Sequence, residues 1–579
     1  MKQVTLKIND ITVTVPEGTK ILDAAREAGF KIPTLCYYKD LCNDGSCRIC
    51  VVEVKGARSL VASCSAVVAE GMEVYTNTPK VIQSRKTTLE LMLSNHEKKC
   101  LSCVRTGNCE LQKLSIEYGC DEGHYEGDKT PVVEEGYNAY LVRNNNKCIL
   151  CRRCVAMCNK VQAVGVIGAN NRGFNTSIGC AFDRSLGGVD CVACGQCIKV
   201  CPTGALTERD DTDQVIAALN DPTKHVIVGT APAVRVALGE EFGNPIGTNV
   251  EGKMVAALRR IGFDKVFDVN MTADLTIMEE GYEFLSRLQD KTAKLPMITS
   301  CSPGWVRFIE FNYPELLGHL SSCKSPQQMF GAVMKTYYAE KNGIDPKDIV
   351  VVSCMPCTAK KTEIFREDQA ASGYPDVDIV LTTRELARLI KKYGIDLNSL
   401  KDEQYDGMTG STAGLLFGAT GGVMEAALRT VYEVVTGSEP PTLDFKQVRG
   451  TKGIKSATLD LNGTKVKVGV AHSLSNAKQM MEDIKAGKSD YQFIEIMACP
   501  GGCVNGGGQP IISSELANAG INPMELRAKA IYASDKKSEL RKSHENPVVK
   551  ELYDEYFGKP NSHKAHEVLH TTYRKREKM

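Results

Sequence analysis

The sequence predicts a multidomain chain mixing α+β and α/β architecture, with small cysteine-rich modules first and a larger α/β unit from about residue 211. Three observations predict it. Of the 24 cysteines, 18 lie before residue 202. They recur in C-x-x-C spacings, which suit metal chelation better than disulfides in a long chain with no visible secretory signal. Beyond about residue 210, short β-rich runs alternate with helical stretches, the pattern of a largely parallel sheet. The 579 residues suffice for roughly three to four domains of ~150 residues. A net charge of +1 argues against a general nucleic-acid binder. No apolar run reaches the ~18 residues of a membrane span. The expected location is cytoplasmic.

The first module opens as a hairpin. Val4–Ile8 and Ile11–Val15 alternate in polarity around Asn9-Asp10, and a short helix over Ile21–Ala28 follows. Then come Cys36, Cys47, Cys50 and Cys64, spaced C-x10-C-x2-C-x13-C. Loop-held thiolates around Gly45 fit a [2Fe-2S] cluster. A zinc ribbon is the alternative, although ribbons prefer two C-x-x-C knuckles. Cys42 competes with Cys36 as a ligand. The spacing resembles the ferredoxin-like domain of the respiratory complex I large subunit, which implies Cys36. Next stand His96, Cys100, Cys103 and Cys109, one imidazole and three thiols suited to zinc or to a cubane; their place between two other cluster motifs favours the cubane.

The strongest local signal follows. Cys148-x2-Cys151-x2-Cys154-x3-Cys158 is repeated as Cys191-x2-Cys194-x2-Cys197-x3-Cys201-Pro202. This is the two-cluster bacterial ferredoxin run, in which the fourth cysteine of each run binds the other cluster. One cubane then takes Cys148, Cys151, Cys154 and Cys201, and the other takes Cys191, Cys194, Cys197 and Cys158. A row of four clusters carries single electrons over a distance.

In the α/β part, three predicted strands run straight into cysteine motifs: Thr299-Ser-Cys301-Ser-Pro-Gly-Trp305, Met355-Pro-Cys357-Thr-Ala-Lys-Lys361 and Met497-Ala-Cys499-Pro-Gly-Gly-Cys503. Sites in such sheets form beyond the carboxyl ends of strands, so distant thiols can converge. The glycines after Cys503 are expected to let backbone approach a bulky cofactor.

These motifs resemble those of the [FeFe]-hydrogenases over almost the whole chain, and the four-cluster N-terminal part is similar to the multi-cluster clostridial form. Ile277-Met-Glu-Glu280, Ser325-Pro-Gln-Gln328, Thr382–Leu386, Gly418–Glu425 and Lys542–Asn546 support the resemblance. It implies a [2Fe-2S] β-grasp domain (1–78), a [4Fe-4S] module held by one histidine and three cysteines (79–140), a two-[4Fe-4S] ferredoxin-like domain (141–210) and an H-cluster catalytic domain (211–579). The H-cluster is a cubane bridged by one cysteine to a diiron unit with CO, cyanide and an azadithiolate. The resemblance makes Cys357, Cys499 and Cys503 cubane ligands, with Cys503 bridging. It sets Met355 and Met497 around the diiron unit, and Lys360 and the backbone at Ala231-Pro232 near cyanide. Glu280, Ser321 and Glu283 match the family's proton relay.

One motif departs from the family. Two adjacent cysteines are usual, a relay thiol and then the fourth cubane ligand; this chain has Cys301-Ser302. Strict alignment makes Cys301 the relay and puts Ser302 on iron. Iron's preference for thiolate puts Cys301 on the cubane and leaves Ser302 or water to pass protons, and this is the arrangement the sequence leads one to expect. The implied reaction is 2H⁺ + 2e⁻ ⇌ H₂. Implied partners are maturation proteins and either a ferredoxin or flavin and NAD(P) subunits of a multi-subunit, electron-bifurcating enzyme. A low-turnover H₂ sensor or iron-sulfur scaffold of the same fold is the rival reading. A complex I electron-transfer protein explains only residues 1–201. Cys42, Cys120, Cys180, Cys323 and Cys354 are expected to be buried or spare, and the basic tail His563–Met579 to be a surface strap.

Overall fold

The computed structural model describes residues 2–132 and 138–578. The expected second module, 79–140, therefore includes five residues, 133–137, that lie outside the described residues.

The N-terminal hairpin forms as its alternation requires. Asn9 and Asp10 take φ of +45° and +67°, the conformation a two-residue hairpin loop needs. Gln3–Ile8 pairs with Ile11–Pro16 from Gln3↔Pro16 to Ile8↔Ile11. The hairpin joins Glu73–Tyr75, Val51–Val54 and Val61–Ala62 in a five-stranded sheet. Helix Ile21–Glu27 buries Ile21, Leu22, Ala24 and Ala25 in the core of that sheet. A long helix, Pro79–Asn95, then begins with Pro at its first position and Thr78 accepting from the Val81 amide at 3.3 Å.

The two ferredoxin runs share one backbone device. Leu150 and Arg152 in the first run, and Ala193 and Gly195 at the same places in the second, all have positive φ. These left-handed residues turn successive amides inward, the geometry of an anion-binding nest. The Leu150 amide points at Cys148 Sγ (3.4 Å) and the Ala193 amide at Cys191 Sγ (3.5 Å).

The remaining chain is built on two four-stranded sheets. One is wholly parallel, in the order Lys265–Asp268, His225–Thr230, Ile349–Met355, Ile379–Thr382. Its central strand, Ile-Val-Val-Val-Ser-Cys-Met, is buried along nearly its whole length, as a strand covered on both faces must be. The other orders Met297–Ile298, Phe493–Met497, Thr464–His472 and Ile454–Leu461. Its last pair is an antiparallel hairpin that the strand pattern did not announce. Helix Asn270–Gln289 buries Ala273, Ile277 and Phe284 among residues of the second sheet. Several of the supporting motifs lie around this helix. Asp274 accepts from Ser411, Ser543 and Asn546, so the Lys542–Asn546 stretch is tied to it.

Candidate active site

Four strand ends deliver the site. Thr230 leads to Ala231-Pro232, Ile298 to Cys301, Met355 to Cys357 and Met497 to Cys499. These segments enclose an apolar pocket with about 810 Å³ free of protein atoms. Cys301, Ser302, Cys357, Cys499 and Cys503 line it, as do Met355, Met497, Lys360, Ala231 and Pro232. Burial pushes the thiols of Cys357 and Cys499 up and that of Cys503 up to about 12. Such thiols become thiolates only beside a strong cation, and an iron-sulfur cluster supplies one. The pocket therefore fits a bulky, apolar-walled iron cofactor held by Cys357, Cys499 and Cys503.

The glycines after Cys503 also serve backbone packing, and Gly506 lines the pocket itself. A Cβ on Gly506 would lie 2.2 Å from the Pro356 carbonyl oxygen, one on Gly507 2.2 Å from the Cys194 carbonyl oxygen, and one on Gly508 2.7 Å from Thr382. Only hydrogen at these positions lets the Cys503, Cys357 and Cys194 loops interlock. Thr358 Oγ1 donates to the Ala193 carbonyl at 2.6 Å and Gln196 Nε2 to that of Asn505 at 2.9 Å. Cys194 itself lines the pocket.

Further out, Cys148, Cys151, Cys154 and Cys201 line one small apolar cavity, with Cys201 coming from the second run. Cys158, from the first run, neighbours Cys191 and Cys197. In the first module, Cys36 hydrogen-bonds with Cys47 and Cys64, and Cys50 with Cys64. Cys42 lies apart, its thiol turned to the Cys151 carbonyl at 3.9 Å. Arg153 reaches the carbonyls of Cys36 (3.4 Å) and Tyr37 (3.0 Å), clamping the first module to the ferredoxin run. Arg105 donates to the Cys201 carbonyl at 2.9 Å, clamping the His96 module to the same run. His96 is buried, burial lowers its pKa to about 4, and its Nδ1 has no partner. A neutral imidazole with an orphaned nitrogen is a ready metal ligand.

Next to Cys301, helix Asn270–Gln289 brings the acids. Glu280 is fully buried beside Ser321 and the Ser300 backbone, and burial raises its carboxyl to about 8. Buried Ser321 donates to Glu283 Oε2 at 3.2 Å, and Arg287 donates to Glu283 Oε1 at 2.5 Å. Glu280 and Glu283 are thus not a solvated helix face. Cys301 is buried, with Glu280, Cys503 and Lys360 as its charged or ionisable neighbours. Ser302 Oγ accepts from the Ala498 amide at 3.3 Å, beside Cys499. Lys360 donates to the Cys301 carbonyl (3.2 Å), Ser325 Oγ (2.7 Å) and Glu363 Oε2 (2.8 Å), so its ammonium is already bound to protein acceptors.

Comparison with known proteins agrees with this arrangement. The family described as the iron-only hydrogenase large subunit, C-terminal domain, matches residues 224–507, and the iron hydrogenase small subunit matches 522–576. A 2Fe-2S iron-sulfur cluster binding domain matches 1–79, the NADH-ubiquinone oxidoreductase-G iron-sulfur binding region matches 85–124, and the ferredoxin-like domain of NADH-quinone oxidoreductase subunit 3 matches 139–207. The chain is 49% identical over its full length to the full-length NADP-reducing hydrogenase subunit HndD of Solidesulfovibrio fructosivorans.

The chain belongs to the iron-only, or [FeFe], hydrogenase family.

It is 43% identical to iron hydrogenase 1 of Clostridium pasteurianum, over 99% of this chain and 100% of that one. The solved [FeFe]-hydrogenase HydA1 of Chlamydomonas reinhardtii covers 63% of this chain and 99% of its own length at 43% identity, with a TM-score of 0.56. The hydrogenase carries a [2Fe-2S] domain, [4Fe-4S] domains and an H-cluster domain. No helix among the described residues is long and apolar enough to cross a membrane.

Sequence reasoning missed three residues beside the acids: Arg287, Glu279 and His570. Arg287 was visible as i+4 from Glu283 on one helix face. Glu279 and His570 meet only through the tertiary fold, at 3.1 Å. The tail is likewise more than a surface strap. His570 is buried, and the Tyr573 hydroxyl donates to the Ser321 carbonyl at 2.7 Å.

Proposed function

We propose that this hydrogenase is the H₂-converting subunit of a multi-subunit, NAD(P)-linked enzyme, with four accessory clusters forming a forked electron path. Cys158, Cys191, Cys194 and Cys197 hold the cubane next to the active site. Cys148, Cys151, Cys154 and Cys201 hold the second. From there the path divides to a [2Fe-2S] cluster on Cys36, Cys47, Cys50 and Cys64 and to a cubane on His96, Cys100, Cys103 and Cys109. The carrying observation is the interlock of the Cys194 loop with the Cys357 and Cys503 loops through Gly195 and Gly507. It brings a ferredoxin-type ligand into the wall of the catalytic pocket. The complex I-type first modules and the full-length similarity to a subunit of an NADP-reducing hydrogenase support a flavin-bearing partner over direct exchange with ferredoxin.

When bound, the H-cluster would supply redox-active iron and an amine base. This chain's residues do the rest. Cys357, Cys499 and Cys503 would hold the group. Met355, Met497 and the Ala231-Pro232 turn keep water out. Cys301, Glu280, Ser321 and Glu283 move protons between the pocket and Arg287 at the outer end. Its neighbours Glu280 and Cys503 support Cys301 as the relay thiol. Its place beside the Ala498 amide supports Ser302 as the oxygen at the fourth cubane position. A sensor or scaffold role is disfavoured by the intact acid chain.

The test is reconstitution. The matured chain alone is expected to reduce viologen dyes with H₂ but not NADP⁺, and to reduce NADP⁺ once a flavin subunit from the same genome is added. Rapid H₂-dependent reduction of ferredoxin by the chain alone, with no gain from the flavin subunit, overturns the assignment.

A further inference from the structure

Beyond the relay, the far side of Glu283 carries a cluster that the mechanism leaves unused. The Glu283 carboxylate, the Cys323 thiol and the His570 imidazole each bring a donor atom to within 4.8 Å of the others. Three separate elements place them there. Glu283 projects from helix Asn270–Gln289. Cys323 and His570 face each other across an isolated antiparallel bridge. Its flanking bonds run from the Thr571 amide to the Ser322 carbonyl (2.7 Å) and from the Lys324 amide to the Leu569 carbonyl (2.8 Å). That makes Cys323 and His570 a non-hydrogen-bonded pair, in which opposed side chains stand closest.

We infer that Glu283, Cys323 and His570 form an inhibitory site for a divalent cation of the zinc type. The mixed sulfur, nitrogen and oxygen donors are the set zinc accepts. Cys323 Sγ lies 3.8 Å from Glu283 Oε2, close to the ~3.6 Å ligand separation that tetrahedral Zn–S and Zn–O bonds produce. The imidazole is already oriented. His570 Nε2 faces Glu279 Oε2 at 3.1 Å, the carboxylate–histidine pairing that leaves the other ring nitrogen free to ligate. That nitrogen, Nδ1, lies 2.8 Å from Ser322 Oγ, whose hydroxyl lies 3.1 Å from Glu283 Oε2. A cation would take over the bridge the hydroxyl now makes, with Ser322 or water as fourth ligand. Charge closes as well: thiolate and carboxylate neutralise the dication, while Arg287 on Glu283 Oε1 balances Glu279. His566, exposed, lies against His570 with ring centroids 4.0 Å apart and the planes tilted by 37°.

The inhibitory effect rests on the reading of Glu283 as a relay residue. A cation on Oε2 occupies the oxygen that accepts from Ser321. The experiment adds zinc chloride to matured, cluster-loaded hydrogenase and follows dye-driven H₂ evolution together with zinc K-edge X-ray absorption. One bound zinc with a single sulfur neighbour and falling turnover are expected. Cys323→Ala keeps basal turnover, loses the sulfur neighbour and needs more than about tenfold more zinc for the same inhibition, since even outer-shell changes cost that much. His570→Gln shifts the zinc midpoint in the same direction. Zinc with no sulfur or with three or four sulfurs, or equal midpoints in the parent and Cys323→Ala, overturns the site. One-sulfur binding that leaves turnover untouched overturns inhibition and the place of Glu283 in proton delivery, while the site stands.

Discussion

Replacing Glu280 by Gln separates the proton function of this residue from its effect on stability. Burial holds the Glu280 carboxyl at about 8, against 4.5 for an ordinary glutamate. The unfolded chain therefore releases this proton above pH 4.5, and the folded chain only above about 8. The group's contribution to stability is complete below pH 4.5 and is lost as the pH climbs to about 8. At ~1.36 kcal/mol per pH unit the loss is about 3 kcal/mol at pH 7 and approaches about 5 kcal/mol above pH 8. Gln has the same shape and no proton to lose. Any cost of its unpaired amide, about 1–3 kcal/mol, does not depend on pH. Relative to the parent, Glu280→Gln should gain stability steadily from pH 5 to pH 8 and then level off, read as the difference in anaerobic unfolding temperature. H₂ evolution should fall by about 10²-fold or more, the scale of a lost acid–base group, with iron content and CO and cyanide infrared bands unchanged. In the parent, evolution should itself decline as the pH rises through about 8. A flat stability difference across that range, or a variant within tenfold of parent turnover, refutes the reasoning.

Five other substitutions test the remaining assignments. Cys301→Ala should abolish turnover and leave the H-cluster cubane iron count intact; loss of that iron would make Cys301 a ligand. Ser302→Cys should let the cubane keep its iron through chelator treatment that strips one iron from the parent, because thiolate is the softer ligand; equal loss removes Ser302 from the coordination sphere. Gly507→Ala puts a Cβ 2.2 Å from the Cys194 carbonyl oxygen, so it should lower the unfolding temperature and slow electron transfer between the ferredoxin cubanes and the active site in rapid-mixing experiments. Cys42→Ala should leave the [2Fe-2S] electron paramagnetic resonance signal unaltered, while Cys36→Ala should remove it.

The cluster loops were legible because ligand spacing is a local property. The αL residues at Leu150, Arg152, Ala193 and Gly195 are what C-x-x-C spacing around a cubane demands of the backbone. The strands leading to Cys301, Cys357 and Cys499 were legible from β-branched runs for the same reason. The packing role of Gly506, Gly507 and Gly508 was not, because what a missing Cβ makes room for depends on loops more than a hundred residues away. Nor was the role of the tail. His570 reads as one more residue of a basic stretch until the bridge to Cys323 draws it into the interior. The Ile454–Leu461 hairpin strand escaped because it is an edge strand with mixed exposure, so its run is interrupted by polar residues.

The proposed electron and proton paths meet at the Cys301-Ser302 departure. In that proposal electrons reach the site through the Cys194 loop, locked to Cys357 and Cys503 by backbone contacts that leave no room for side chains. Protons reach it along helix Asn270–Gln289, whose acid, Glu280, is kept neutral by burial. Cys301 and Ser302 are consecutive: Cys301 has Glu280 and Cys503 as neighbours, and Ser302 Oγ accepts from the Ala498 amide beside Cys499. With Ser302 at the fourth cubane position, as proposed, exchanging sulfur for oxygen there changes the cubane and leaves the proposed relay thiol in place. The proposed relay keeps a thiol, which gives up a proton far more readily than an alcohol, although burial pushes the Cys301 thiol well up from its ordinary value. In that arrangement the cubane would meet a harder, less strongly held donor, which would change how firmly its fourth iron is bound and at what potential it accepts an electron. An enzyme of the proposed nicotinamide-linked type could use that second adjustment without giving up the first.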